Sequence, residues 1–125
     1  MLLAVVGSTN ITDKQRGIAS VIIDGFFFAY LPELVISGGA LGIDSLARGR
    51  VTAWNRAQEW NINFMEFLPR NQRWEPEGFK ERNIKIVEEC TDLLCIRTRQ
   101  STTYGSGWTA DQAERLGKTV WRIII

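Results

Sequence analysis

Four short stretches concentrate the residues that could hold or transform a ligand: "GSTN" (7–10), "SGGALGID" (37–44), "WEPEGFKERN" (74–83) and "TYGSGWTAD" (103–111). In "SGGALGID", Gly38, Gly39 and Gly42 permit φ > 0 and a close approach of backbone to a ligand, at a cost in chain entropy. Asp44 follows in the first turn of a helix. Its carboxylate could cap backbone N–H groups or accept from a ribose hydroxyl. In "GSTN", Gly7 turns the chain off a strand, and Ser8, Thr9 and Asn10 offer polar groups ahead of a helix N-terminus that favours an anion. A plain turn with an N-cap explains that stretch equally well. Arg82 offers a planar fork for phosphate and Asn83 both a donor and an acceptor. The alternative for Arg82 is an exposed salt bridge with Glu81 or Glu88. Gly105, Ser106 and Gly107 precede a helix expected to hold Thr109 and Asp111 in its first turn, where backbone N–H groups could cradle a phosphate. Tyr104 and Trp108 could stack on a base, and Trp108 could equally pack between helix and sheet. Trp74 is the stronger stacking candidate of the five tryptophans, whereas Trp54 and Trp121 sit at periodic core positions. Arg97 and Arg99 could meet a phosphate or simply be solvated.

Other chemistries are excluded by composition. With no histidine in 125 residues, Ser-His triads, His metal ligands and His general bases are ruled out together, so proton transfer would fall to carboxylates, Lys, Tyr, Cys or water. Cys90 and Cys95 fall at a helix end and inside an apolar strand, poorly placed for a disulfide or a metal, and read as buried thiols of a reducing compartment. No metal or cofactor is implied. Fifteen basic against 14 acidic residues leave a net charge of +1, so any nucleic-acid track must arise by folding. No apolar stretch approaches the roughly 18 residues of a membrane span, and "MLLAVVG" lacks the basic region of a signal peptide. A cytoplasmic protein is expected.

The elements that must position these residues follow from periodicity. Short apolar runs at 2–6, 34–36, 61–69, 93–96 and 118–125 read as strands. Segments 13–30, 43–60, 79–90 and 108–117 read as helices, with Thr12 or Asn10 as an N-cap, Pro32 as a stop and Gly117 as a C′ residue. Phe79, Ile84 and Val87 are expected on the buried side of the third helix. Phe26, Phe27 and Phe28 pack under the sheet or partly face a partner subunit. Strict alternation of strand and helix, with strands apolar on both sides, predicts one α/β domain over residues 1–125: a three-layer, doubly wound, Rossmann-like fold with a mainly parallel five-stranded sheet. All four polar stretches then fall at the carboxyl edge of the sheet, where such folds bind ligands. The glycine spacing matches neither G-x-G-x-x-G nor a Walker A loop.

Taken together, these motifs resemble the SLOG superfamily of Rossmann-like nucleotide-binding domains, which includes the DNA-processing protein A (Smf) family, the Lonely guy phosphoribohydrolases and the DUF2493/YpsA-like proteins. "SGGALGIDSLA" is similar to the "SGGAxGxDxLA" loop, "GFKERN" to "FxxRN", and "GSGWTADQAERLGKTVW" to "SGSxxTAxxAxxxGxxV". The resemblance covers nearly the whole chain. It implies a nucleotide-type small molecule held by Gly7, Ser8, Ser37, Gly38, Gly39, Asp44, Arg82, Asn83, Gly105, Ser106, Gly107 and Thr109. It also implies self-association into a homo-oligomer. Asp111, Asp44 and Arg82 are the candidates for any catalytic role. The chain departs from the phosphoribohydrolase pattern "PGGxGTxxE": Trp108 replaces a glycine, no Pro-Gly-Gly occurs, and Asp111 is displaced from the glutamate position. Binding without turnover is therefore favoured, as a sensor or sequestering protein. The alternatives are N-glycosidic hydrolysis and single-stranded DNA binding, the latter through a track of Arg48, Arg50, Arg56, Arg70 and Arg73.

Overall fold

A computed structural model describes residues 1–58, 60–73, 78–102 and 104–125. Trp74, the expected stacking residue, lies outside the described residues. The strands are β1 (Leu2–Gly7), β2 (Leu34–Ser37), β3 (Asn63–Glu66), β4 (Asp92–Arg97) and β5 (Thr119–Ile124). Between them run α1 (Asp13–Tyr30), α2 (Ile43–Gln58), α3 (Phe79–Glu89) and α4 (Gly105–Arg115). All strand pairs are parallel, in the order β3-β2-β1-β4-β5. The chain winds outward from β1 to β3, then crosses back to β4. The order therefore reverses between β1 and β4, and a crevice opens there at the carboxyl edge.

Alternation along the strands feeds two cores. Leu3, Val5, Leu94 and Ile96 pack with Ala19, Ile23 and Phe27 of α1 and Ile43, Ala47 and Val51 of α2. Ala4, Val6, Leu93 and Cys95 point the other way, onto Ile86 and Val87 of α3 and Ala110 and Ala113 of α4. Each such large aliphatic side chain contributes about 1.5–3 kcal/mol by leaving water. This is the three-layer Rossmann-like architecture expected from the sequence. Cys90 and Cys95 are buried free thiols, and burial pushes both up to about 11, far from thiolate. No helix among the described residues is long and apolar enough to cross a membrane.

Helix ends follow local chemistry. Thr12 and Gln15 form a reciprocal capping box at the start of α1. Leu31 closes that helix in the left-handed region (φ 46°), ahead of Pro32. Gly117 (φ 75°) ends α4, with the Gly117 and Lys118 N–H groups donating to Glu114 and Ala113 carbonyls, the Schellman pattern. The phenylalanine run divides. Phe27 is fully buried, Phe26 meets Trp121 edge-on at 5.0 Å, and Phe28 is 74% exposed.

Two expectations need correction. Helix α4 begins at Gly105, not at Trp108, so Thr109 and Asp111 lie beyond its first turn. The glycines there have poor helix propensity, but Gly107 packs so closely that a Cβ would sit 3.0 Å from the Arg97 guanidinium. Tertiary contact thus overrides propensity. In α3, Ile84 is exposed and Ile86 takes its place in the core. The buried residues of α3 are Arg82, Asn83, Ile86 and Val87, with Phe79 half-buried, so the inward face carries two polar residues.

Candidate functional site

A cavity of about 710 Å³ occupies the crevice. Volumes of 300–1,000 Å³ are usual for small-molecule sites. Its walls come from the end of β1, the loops that follow β1, β2, β3 and β4, and helices α2, α3 and α4. The β1–α1 turn supplies Gly7, Thr9 and Asn10, and the glycine loop supplies Gly39, Ala40 and Leu41, followed by Asp44 of α2. Gln72 comes from the β3–α3 loop, Phe79, Arg82, Asn83 and Ile86 from α3, and Tyr104, Gly105, Ser106 and Thr109 from α4.

Two glycines make the loops fit each other. A Cβ on Gly7 would run into the Ile96 carbonyl and the Ile43 side chain. A Cβ on Gly42 (φ 78°) would collide with the Ser8 and Thr9 carbonyls, and the Ile43 N–H donates to Ser8 O at 3.1 Å. The β1–α1 turn and the glycine loop are therefore docked backbone to backbone. Ser8 completes the seam. Its N–H donates to Ile96 O at 3.1 Å and its Oγ accepts from the Thr98 N–H at 3.0 Å.

At the floor of the cavity an arginine and an aspartate grip one residue, Gly38, from its two sides. The Arg82 guanidinium donates through Nη1 to Gly38 O and through Nε to Asn83 Oδ1 at 2.6 Å. Asp44 Oδ2 accepts from Gly38 N–H at 3.1 Å and from Ala40 N–H at 3.4 Å. Gly38 must be glycine because a Cβ would collide with the guanidinium and lie 2.9 Å from Asp44 Oδ2. Arg82 and Asp44 are 9% and 5% exposed, so both charges have lost most of their hydration. Burial pushes the Asp44 carboxyl up to about 6, against the pull of Arg82 and the two backbone N–H groups, with Glu66 adding to the rise. Burial also lowers Arg82, and Asp44 opposes that shift.

A pH dependence follows from the Asp44 shift. The folded state binds the Asp44 proton more tightly than the unfolded chain, from the ordinary 3.8 up to about 6. Ionisation across that window therefore costs stability as pH rises, and the cost saturates above the folded value. Two pKa units correspond to about 3 kcal/mol. Asp44→Asn should gain on wild type by that order between pH 4 and 7 in urea-unfolding midpoints. A difference that moves the other way contradicts the buried carboxyl.

Several sequence candidates are structural. Ser8 is buried in the seam described above. Ser37 is fully buried, with Oγ accepting from Gly39 N–H at 3.3 Å. Gly38 and Gly107 lie behind the cavity wall, and Thr109 Oγ1 donates back to Gly105 O at 2.8 Å. Asp111 does not line the cavity. It accepts from Tyr104 OH at 2.6 Å and from Arg122 at 2.8 Å, and these bonds hold its carboxyl below the ordinary range. It is thus a positioning residue for Tyr104, which stands 58% exposed at the cavity mouth. Trp108 turns away, into a shallow depression between α3 and α4 with Lys80, Ile84 and Glu88. The exposed-ion-pair alternative for Arg82 is ruled out by its burial. Leu41, Gln72 and Ile86 were not singled out from sequence. Ile86 was identifiable in principle, three residues after Asn83 on the same helical face.

No protein-family model matches the chain, and no curated protein is significantly similar to it. What can be said of function therefore rests on the site itself. Helix α4 starts without a side-chain cap, at Gly105 and Ser106 on the cavity surface, so its first-turn N–H groups are available to an anion. Among the described residues no hydrogen bond engages Arg82 Nη2 or Asp44 Oδ1. The cavity thus combines an anion-binding helix start, a cation, a carboxylate and the apolar surfaces of Val6, Leu41, Phe79 and Ile86. Among the described residues no cluster of three His, Cys, Asp or Glu side chains could hold a metal ion.

Proposed function

We propose that the chain is a SLOG-type domain that binds a nucleotide or nucleotide-derived small molecule in this cavity, as a sensor or sequestering protein. The observation that carries this reading is the convergence of the uncapped α4 start and the buried Arg82–Asp44 pair on one cavity at the strand-order reversal. A phosphate sits at the N–H groups of Gly105 and Ser106, within reach of Arg82. A ribose hydroxyl donates to Asp44 and pairs with Asn83. The base lies against Leu41, Phe79 and Tyr104, the last steadied by Asp111.

The arginines expected to form a strand-binding track favour a small ligand instead. Arg48 pairs with Glu66 at 3.5 Å, Arg50 with Asp24 at 2.8 Å, and Arg70 with Glu81 at 2.9 Å. Three of the five are thus already neutralised. One observation favours turnover as a second reading: Asp44 is a cavity carboxyl with its pKa raised to about 6, in the range suited to proton transfer near neutrality. Release of free base from a bound nucleoside monophosphate would establish that reading.

Calorimetric titration with nucleoside mono-, di- and triphosphates tests the binding claim. At least one should bind with a micromolar Kd. Absence of heat across the panel would overturn it.

A further inference from the structure

Beside the main cavity lies a second depression of about 380 Å³, and the two share Thr9, Asn10 and Leu41 as a common rim. The rim is the docked pair of loops described above. On its far side stand Arg16, at the end of the first turn of α1, with Ser45 and Gln100. No carboxylate lines this depression, and among the described residues none pairs with Arg16. Gln100 is held in place by reciprocal amide bonds to Gln15, at 3.0 and 2.9 Å. Leu41 is 78% exposed between the two spaces, on a loop flanked by positive-φ Gly39 and Gly42.

We propose that this depression is a second subsite. It receives the distal half of a ligand longer than a mononucleotide: a nucleoside diphosphate linked to a second sugar or nucleoside. The proposal rests on the nucleotide reading of the main cavity. The proximal phosphate lies at the start of α4. The diphosphate link passes over the rim at Thr9 and Asn10, with Leu41 packed against the ligand. The distal phosphate or sugar hydroxyls meet the Arg16 guanidinium and the Gln100 amide. Arg16 is the specificity-determining residue, because it supplies the unpaired charge on that side.

The test compares nucleoside 5′-monophosphates with the matching nucleoside diphosphate sugars, by calorimetry on wild type and Arg16→Gln. Arg16 is exposed and makes no ion pair among the described residues, so the variant should fold, as circular dichroism will show. Wild type should bind one diphosphate sugar at least ten-fold tighter than its monophosphate, and Arg16→Gln should erase most of that advantage. Equal affinities in wild type, or an equal loss for both ligands in the variant, would overturn the subsite while leaving the nucleotide reading intact. Failure of every ligand to bind would overturn both.

Discussion

At pH 8, Arg82→Met is expected to destabilise the protein by about 3–5 kcal/mol, the usual cost of removing one partner from a buried charge pair. The substitution keeps much of the aliphatic volume, so the loss is electrostatic in origin. Asp44 would then stand ionised, largely dehydrated and without its counter-charge, and Gly38 O and Asn83 Oδ1 would each lose a donor. The sign with pH is specific. The Asp44 carboxyl is already raised by burial, and loss of Arg82 raises it further. Protonation at pH 5 should therefore relieve much of the defect. Asp44→Asn in the same chain should relieve it at every pH. Urea unfolding of the two single variants and the double variant at pH 5 and 8 checks this as a double-mutant cycle. A defect equal at both pH values and untouched by Asp44→Asn would show that Arg82 acts only through packing.

Gly42→Ala should be similarly damaging, at roughly 2–5 kcal/mol. The left-handed backbone contributes about 1–2 kcal/mol for any L side chain. Collision of the new Cβ with the Ser8 and Thr9 carbonyls adds about 1–3 kcal/mol as overpacking, because backbone on both sides leaves little freedom to yield. Gly117 provides the control. It shares the conformation (φ 75°), but its Cβ position is open, with nothing within 4 Å. Gly117→Ala should therefore show only the first contribution, about 1–2 kcal/mol. Equal effects at the two positions would mean that the loop-on-loop seam at Ser8 and Gly42 does not constrain the fold.

The contrast between these positions shows where the sequence could be read and where it could not. Strand and helix identity followed from local pattern: the apolar run before Gly7, the Thr12 cap, Pro32 and Gly117. The placement of four polar loops on one edge followed from strict alternation. Strand order did not follow, because every strand is apolar on both faces and nothing local says which one lies beside β1. For Arg82 the sequence left an exposed salt bridge open beside a phosphate contact, because nothing local shows that a charged residue is buried. Arg82 is held by partners 38 and 44 residues earlier, Asp44 and Gly38, and Asn83 is held by Arg82. Asp111 was read from its distance to Thr109, but helix α4 begins at Gly105, and the helix turns its carboxylate outward to Tyr104 and Arg122. Glycines that look like a loop in one dimension are a helix start in three, where Gly107 lets α4 pack against the Arg97 guanidinium.

The most direct measurement is a calorimetric nucleotide titration of wild type beside Ser106→Asp. Ser106 lies on the cavity surface in the first turn of α4. A carboxylate there interacts favourably with the helix N-terminus, by about 0.3–1 kcal/mol, so Tm should hold or rise. The same carboxylate occupies and repels the position assigned to phosphate. Micromolar binding by wild type, with at least a ten-fold loss in a Ser106→Asp protein of undiminished Tm, is the predicted result. Unchanged binding in the variant, or no nucleotide binding by wild type, would contradict it.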